Sequence, residues 1–114
     1  MTFNEYQHST VKTTIGLATG ETSLLYCTLG LLGEAGEVAE KIKKLWRNKG
    51  VKSGADVPVK DLPLLIAELG DVLWYLSALA TAIGIQLDDI ALGNLIKVQS
   101  RNARGVLCSE GDTR

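Results

Sequence analysis

Apolar positions recur with a helical period through most of this chain, and acids interrupt two of the resulting stripes at matching places. Within residues 24–49, Leu31, Ala35, Val38, Ile42 and Leu45 fall on one stripe at about 100° per residue. Within residues 61–83, Leu65, Leu69, Val72, Leu76, Leu79 and Ile83 form a second. A weaker amphipathic pattern covers residues 3–18, and a fourth covers 89–103. No segment alternates as a half-buried strand does. The expected class is all-α, a helical bundle.

Local signals set the expected boundaries. Gly20 breaks the first helix, and Thr22 or Ser23 caps the second, which Gly50 ends. Residues 48–60 are polar, hold two glycines and Pro58, and read as a loop. Asp61 is placed to cap the third helix, with Pro63 tolerated in its first turn and Gly84 as its stop. Asp88 is placed to cap the fourth. Residues 105–114 read as an irregular tail.

The acids repeat. Glu34 and Glu37 lie roughly 60° and 120° to one side of Leu31, and Glu68 and Asp71 lie at the same offsets from Leu65. Both helices therefore carry Leu-x-x-acid-x-Gly-acid-Val. If the stripes pack antiparallel, four carboxylates converge at the edge of a core. Such charges repel and lose hydration, so a cation must offset them. Lysine or arginine partners are one answer, and Glu37 has Lys41 at i+4. A magnesium ion, which prefers hard oxygen ligands, is the other. Solvated acids on a helix flank are the plain structural alternative. Glu40, opposite the stripe, reads as ordinary surface.

Composition narrows the picture. At 114 residues, the chain is expected to be one domain spanning 1–114, with a modest core of aliphatic side chains. A formal net charge of -1 argues against a duplex nucleic-acid binder. No signal-peptide pattern opens the chain, and the most apolar stretch, 62–85, contains Glu68 and Asp71. No membrane span and a cytoplasmic location are expected. Cys27 and Cys108 lack metal spacing and read as reduced thiols. His8 is the one histidine, which argues against a ferritin-type di-iron site. Trp74, Ala67 and Ala78 lie far from the third helix's stripe, so that helix is apolar nearly all round. It should be buried on several sides, which suggests a homo-oligomer. Trp46 reads as a core residue.

These residues resemble the MazG-like nucleoside triphosphate pyrophosphohydrolases, in their small single-domain bacterial or phage form. The resemblance covers most of the chain. It centres on Glu34-Ala35-Gly36-Glu37 and Glu68-Leu69-Gly70-Asp71, within GLLGEAGEVAEKIKK and ELGDVLWYL, and extends to NLIKVQSRNARG and the closing GDTR. It implies an all-α fold with a four-helix-bundle active centre, assembled as a homodimer or homotetramer. The implied reaction is (d)NTP and water to (d)NMP and pyrophosphate. The implied ligands for Mg2+, with Mn2+ as a substitute, are Glu34, Glu37, Glu68 and Asp71. Glu37 is also a plausible general base.

Substrate contacts follow from position and resemblance together. Lys41 and Lys44 continue the acidic flank towards the phosphates, and Tyr75 follows Asp71 by one turn. Asn94, Lys97 and Arg101 match an N-x-x-K-x-x-x-R pattern that serves phosphates or sugar in similar proteins, with Val98 where leucine is common. Arg104 and Arg114 are placed to close over the ligand. Competing readings are phosphoribosyl-ATP pyrophosphatase or dimeric dUTPase chemistry on the same scaffold. A non-catalytic helical dimer, for which the four acids would be dispensable, is the reading from another class.

Overall fold

The computed structural model describes residues 1–108, and within them every regular element is a helix. α1 spans Phe3–Thr10, α2 Ser23–Lys49, α3 Leu62–Ala82 and α4 Leu87–Ala103. Arg114 and the GDTR motif lie outside the described residues.

α1 is shorter than the apolar pattern predicts. A Thr2–Glu5 capping box starts it. Past Thr10 the chain becomes a series of 3-10 turns. Hydroxyls cause this: Ser9 donates to the Glu5 carbonyl, and Thr13 and Thr14 both donate to that of Thr10. Such local bonds compete with the helical ladder. The turns carry Ala18 back into the core.

α2 and α3 form the central antiparallel pair. Lys49 meets Asp61, Lys41 meets Glu68, and Gly30 meets Tyr75 along its length. Gly50 ends α2 with φ 68°, and Gly84 follows α3 with φ 73°, conformations that a side chain would strain. Asp61 sits at the α3 N-cap but gives no capping bond; its carboxylate takes Lys49 Nζ at 2.5 Å. Thr22 likewise gives no cap to α2, because its hydroxyl donates to Leu17 O. Residues 48–60 hold a short 3-10 turn at Gly54–Asp56, and a second turn at Val59–Asp61 leads into α3.

The core is small-sided. Ala18, Cys27 and Ala78 are buried together, with Trp74, Tyr75 and Leu79 packed over them. Burial pushes the Cys27 thiol pKa up. α1 lies on the C-terminal half of α3 along a polar seam. Thr10 and Ser77 share a buried hydroxyl bond of 2.9 Å, and Trp74 Nε1 donates to Thr13. Buried polar atoms are thereby paired rather than stranded.

The observed stripes are narrower than the sequence pattern. Leu45 is buried and Leu31 and Val38 are half-buried, but Ala35, Ile42, Leu69 and Ile83 are exposed. Trp46, expected in the core, is 60% exposed. α2 turns its Cys27–Leu45 line towards α3, which carries Glu34 into the interface and leaves the far edge of the apolar stripe in solvent. α3 has neighbours on two sides only along its C-terminal half. The segment Val59–Ala82 is long and apolar enough to cross a membrane. It carries Glu68 and Asp71 near its middle, which are costly in hydrocarbon, and it packs against α2.

Gly30 is a point of close approach within the pair, since a Cβ built there would overlap the Tyr75 ring. Gly30→Ala should destabilise the fold by about 1–3 kcal/mol through overpacking. Gly33→Ala meets nothing within 4 Å. It should instead gain up to about 1 kcal/mol of helix propensity. Urea unfolding of the two variants checks this, and equal effects would contradict the close approach.

Candidate metal centre

The acids meet because of this close pairing. Gly30 against Tyr75 brings α2 and α3 together one turn above Glu34 and Asp71. Glu34, Glu68 and Asp71 then each place a carboxylate oxygen within 4.8 Å of the others. Glu34 is half-buried, as is Glu68, while Asp71 faces solvent. Glu37, one turn along α2, is exposed and outside this trio, although its charge still acts on Glu34.

Electrostatics mark the cluster as unfavourable when empty of cations. Burial pushes the Glu34 carboxyl above its ordinary value, and the charges of Asp71, Glu68 and Glu37 push it in the same direction. Lys41 gives partial relief: its ammonium lies 3.3 Å from Glu68 Oε1. Lys41 therefore pairs across to α3 rather than with Glu37 on its own helix. One lysine against three carboxylates leaves net negative charge. Hard oxygens on two rigid helices, open to solvent at Asp71, fit a magnesium ion that keeps several waters.

Further along the α2–α3 pair, the surface turns positive. A cavity of about 310 Å³ is lined by Lys41, Lys44, Asn48, Lys49 and Asp61, with Leu45, Leu64 and Leu65 as its apolar wall. Lys44 also reaches Glu40 at 3.1 Å and lowers that carboxyl's pKa by hydrogen bond and charge. Above the acids, Tyr75 is edge-on to Trp74 at 5.0 Å and faces Tyr26. Its hydroxyl pKa is raised by burial, then by the bond to Tyr26 and nearby negative charge. Tyr75 therefore belongs to the core wall beside the acids.

The α4 candidates stand elsewhere. α4 packs mainly on α1, so Asn94 and Lys97, both exposed, and half-buried Arg101 lie on a different element from the groove. Arg104 donates back to Ser100 O on its own helix at 3.3 Å. Tyr6 of α1 was invisible to the stripe pattern. Burial raises its hydroxyl pKa, and the charge of Asp71 adds to the shift, so it lies within electrostatic reach of the acids.

A raised carboxyl pKa has a definite linkage sign. The folded state holds the Glu34 proton more tightly than the unfolded state does. Its contribution is full below the ordinary carboxylate range and is lost as pH rises through the raised value. Without metal, Glu34→Gln should therefore be more stable than the parent near neutral pH, with the difference vanishing in acid. Denaturant unfolding against pH measures it. Magnesium should stabilise the parent, and its affinity should fall about tenfold or more in the variant. A variant less stable than the parent at neutral pH would contradict the repulsion.

Comparison with known proteins bears on these residues. The family model for the MazG nucleotide pyrophosphohydrolase domain matches residues 22–106, which include α2, α3, α4 and all four acids. The chain is 46% identical over 92 residues to the Gene 37 protein of Mycobacterium phage L5, covering 80% of this chain and 76% of that protein. No solved structure matches. A match across this much of the chain means that the protein belongs to the MazG nucleotide pyrophosphohydrolase family.

Proposed function

We propose that this chain, read as one catalytic domain, is a magnesium-dependent pyrophosphohydrolase that cleaves a nucleoside triphosphate between the α- and β-phosphorus. One observation carries the reading. A trio of converging carboxylates and a lysine-lined cavity are neighbours along the α2–α3 pair, joined by the Lys41–Glu68 ion pair. A metal-bound triphosphate needs that order: oxygen ligands for the ion, then cations for the remaining phosphate charge.

Glu34, Glu68 and Asp71 would hold the ion, and Glu37 would complete the set from the neighbouring turn. When bound, magnesium supplies charge neutralisation and polarisation of the phosphoryl oxygens. The chain's own residues do the rest. Lys41 and Lys44 receive the phosphates of the leaving pyrophosphate. Lys41, paired with Glu68 here, would turn to the phosphates and leave the Glu68 carboxylate for the ion. Glu37 accepts a proton from the attacking water. Tyr75 walls the groove beside the nucleoside. The barrier is largely one of positioning and charge, which rigid helices suit.

The substrate site is completed in an oligomer. Large apolar side chains on α2, α3 and α4 stay in solvent, among them Leu32, Ile66, Leu69 and Leu95. Their surface is the kind that a second copy buries. α4 stands off the α2–α3 groove, so assembly as a homodimer or homotetramer is what brings Asn94, Lys97 and Arg101 to a neighbouring acid site. A cytoplasmic setting, with its nucleotide pool, suits the reaction.

Four outcomes test this. Purified protein with magnesium should release equal amounts of nucleoside monophosphate and pyrophosphate from at least one member of a panel of canonical and modified nucleotides. In water enriched in heavy oxygen, the label should enter the monophosphate; label in pyrophosphate would place the attack at the β-phosphorus. Asp71→Asn and Glu68→Gln should each lose about 100-fold or more of kcat/KM. Failure with every nucleotide, from folded and magnesium-loaded protein, would favour a non-catalytic helical module. Leu95→Lys should shift light-scattering mass towards monomer; an unchanged mass would leave α4 outside the interface.

A further inference from the structure

α4 lacks its own N-terminal cap. Its N-cap residue, Gln86, provides no side-chain bond, and Asp88 lies inside the first turn instead of before it. A helix start leaves backbone N–H groups in need of acceptors. α1 supplies them. Leu87 N donates to Gln7 Oε1 at 2.8 Å, and Asp88 N donates to Asn4 Oδ1 at 3.1 Å. The Gln7 amide then turns its nitrogen to Thr81 Oγ1 at 3.1 Å and to Ile85 O at 3.0 Å.

Gln7 is only 7% exposed, and its amide thus joins the end of α3, the connector 83–86 and the start of α4. Leu87, beside it, is 3% exposed. Among the described residues, the chief packing partner of α4 is α1. Gly84, at φ 73°, is the turn about which α4 would otherwise swing. A small rotation at Leu87 becomes a large displacement at Lys97, ten residues along at about 1.5 Å per residue.

We propose that Gln7, with Asn4, is a positioning residue for nucleotide binding: it sets the direction of α4 and thereby the place of Lys97 and Arg101. This rests on the reading of α4 given under Proposed function. Neither Gln7 nor Asn4 touches the substrate. Their effect travels through the first turn of α4, so it should fall on nucleotide affinity and leave the α2–α3 acids untouched.

The test compares full-length parent, Gln7→Leu, Asn4→Ala and Asn4→Asp. Hydrogen exchange at the Leu87 and Asp88 amides should speed up in Gln7→Leu, and at Asp88 in Asn4→Ala. Affinity for magnesium alone, by calorimetry, should not change. KM should rise about tenfold in Gln7→Leu, with kcat within about threefold of the parent. Asn4→Ala should move the same way by less, and Asn4→Asp, which keeps the acceptor, should restore KM. Combined with Lys97→Ala and Arg101→Ala together, Gln7→Leu should add little further loss, since its effect runs through those two side chains.

Additive losses would mark Gln7 as a general structural residue and overturn the proposal. So would an unchanged KM alongside faster exchange. If Gln7→Leu fails to fold, the pair Asn4→Ala and Asn4→Asp, at a half-buried position, still decides. A parent that binds magnesium but cleaves no nucleotide overturns the reaction, and this role with it. Cleavage by the parent with KM insensitive to both sites overturns the positioning role alone.

Discussion

The close approach of α2 to α3 at Gly30 is the constraint on which the rest of this molecule depends. A glycine facing the Tyr75 ring lets the two backbones come together where any larger residue would hold them apart. The small side chains of Cys27 and Ala78 continue the contact. Because the helices are this close, acids one turn away on each helix fall within 4.8 Å of one another. A cation bound among them would relieve the repulsion that burial and neighbouring charge place on Glu34.

The same pairing arranges charge along a line. Aromatic rings, then carboxylates, then lysines follow one another along the α2–α3 pair. Lys41 is the hinge of that arrangement, since it belongs both to the acids, through Glu68, and to the cationic cavity. Carboxylates beside lysines suit a cation and an anion held together, as the proposed metal-bound triphosphate would be. This links family membership to a particular geometry in this chain.

A polar seam does for α1 and α4 what the apolar contact does for α2 and α3. Thr10 with Ser77, Thr13 with Trp74, and Gln7 with Thr81 and the start of α4 hold the N-terminal helix in register. Asn4, Gln7 and Thr10 recur every three residues on α1, a polar stripe where an apolar one would be expected. That spacing was present in the sequence as a signal. Its meaning was not, because a polar stripe reads as solvent-facing until a partner helix is known. Tyr6 was missed for the same reason: its neighbour Asp71 is remote in sequence.

Local chemistry determined much by itself. Period 3.6 identified four helices, Gly50 and Gly84 ended two of them, and the repeated Leu-x-x-acid-x-Gly-acid-Val placed acids on equivalent faces. These are short-range properties, set within a few turns of one helix. Tertiary structure decided which apolar residues are inside and which acids converge. Ile42, Trp46 and Leu69 lie in solvent because α2 and α3 rotate towards the line of smallest side chains, not towards the middle of the apolar stripe. Asp61 and Asp88, each placed to cap a helix, do not do so: Lys49 takes Asp61, and α1 caps α4. Rotation of a helix about its axis depends on which partner face allows the closest approach, and no single helix carries that information.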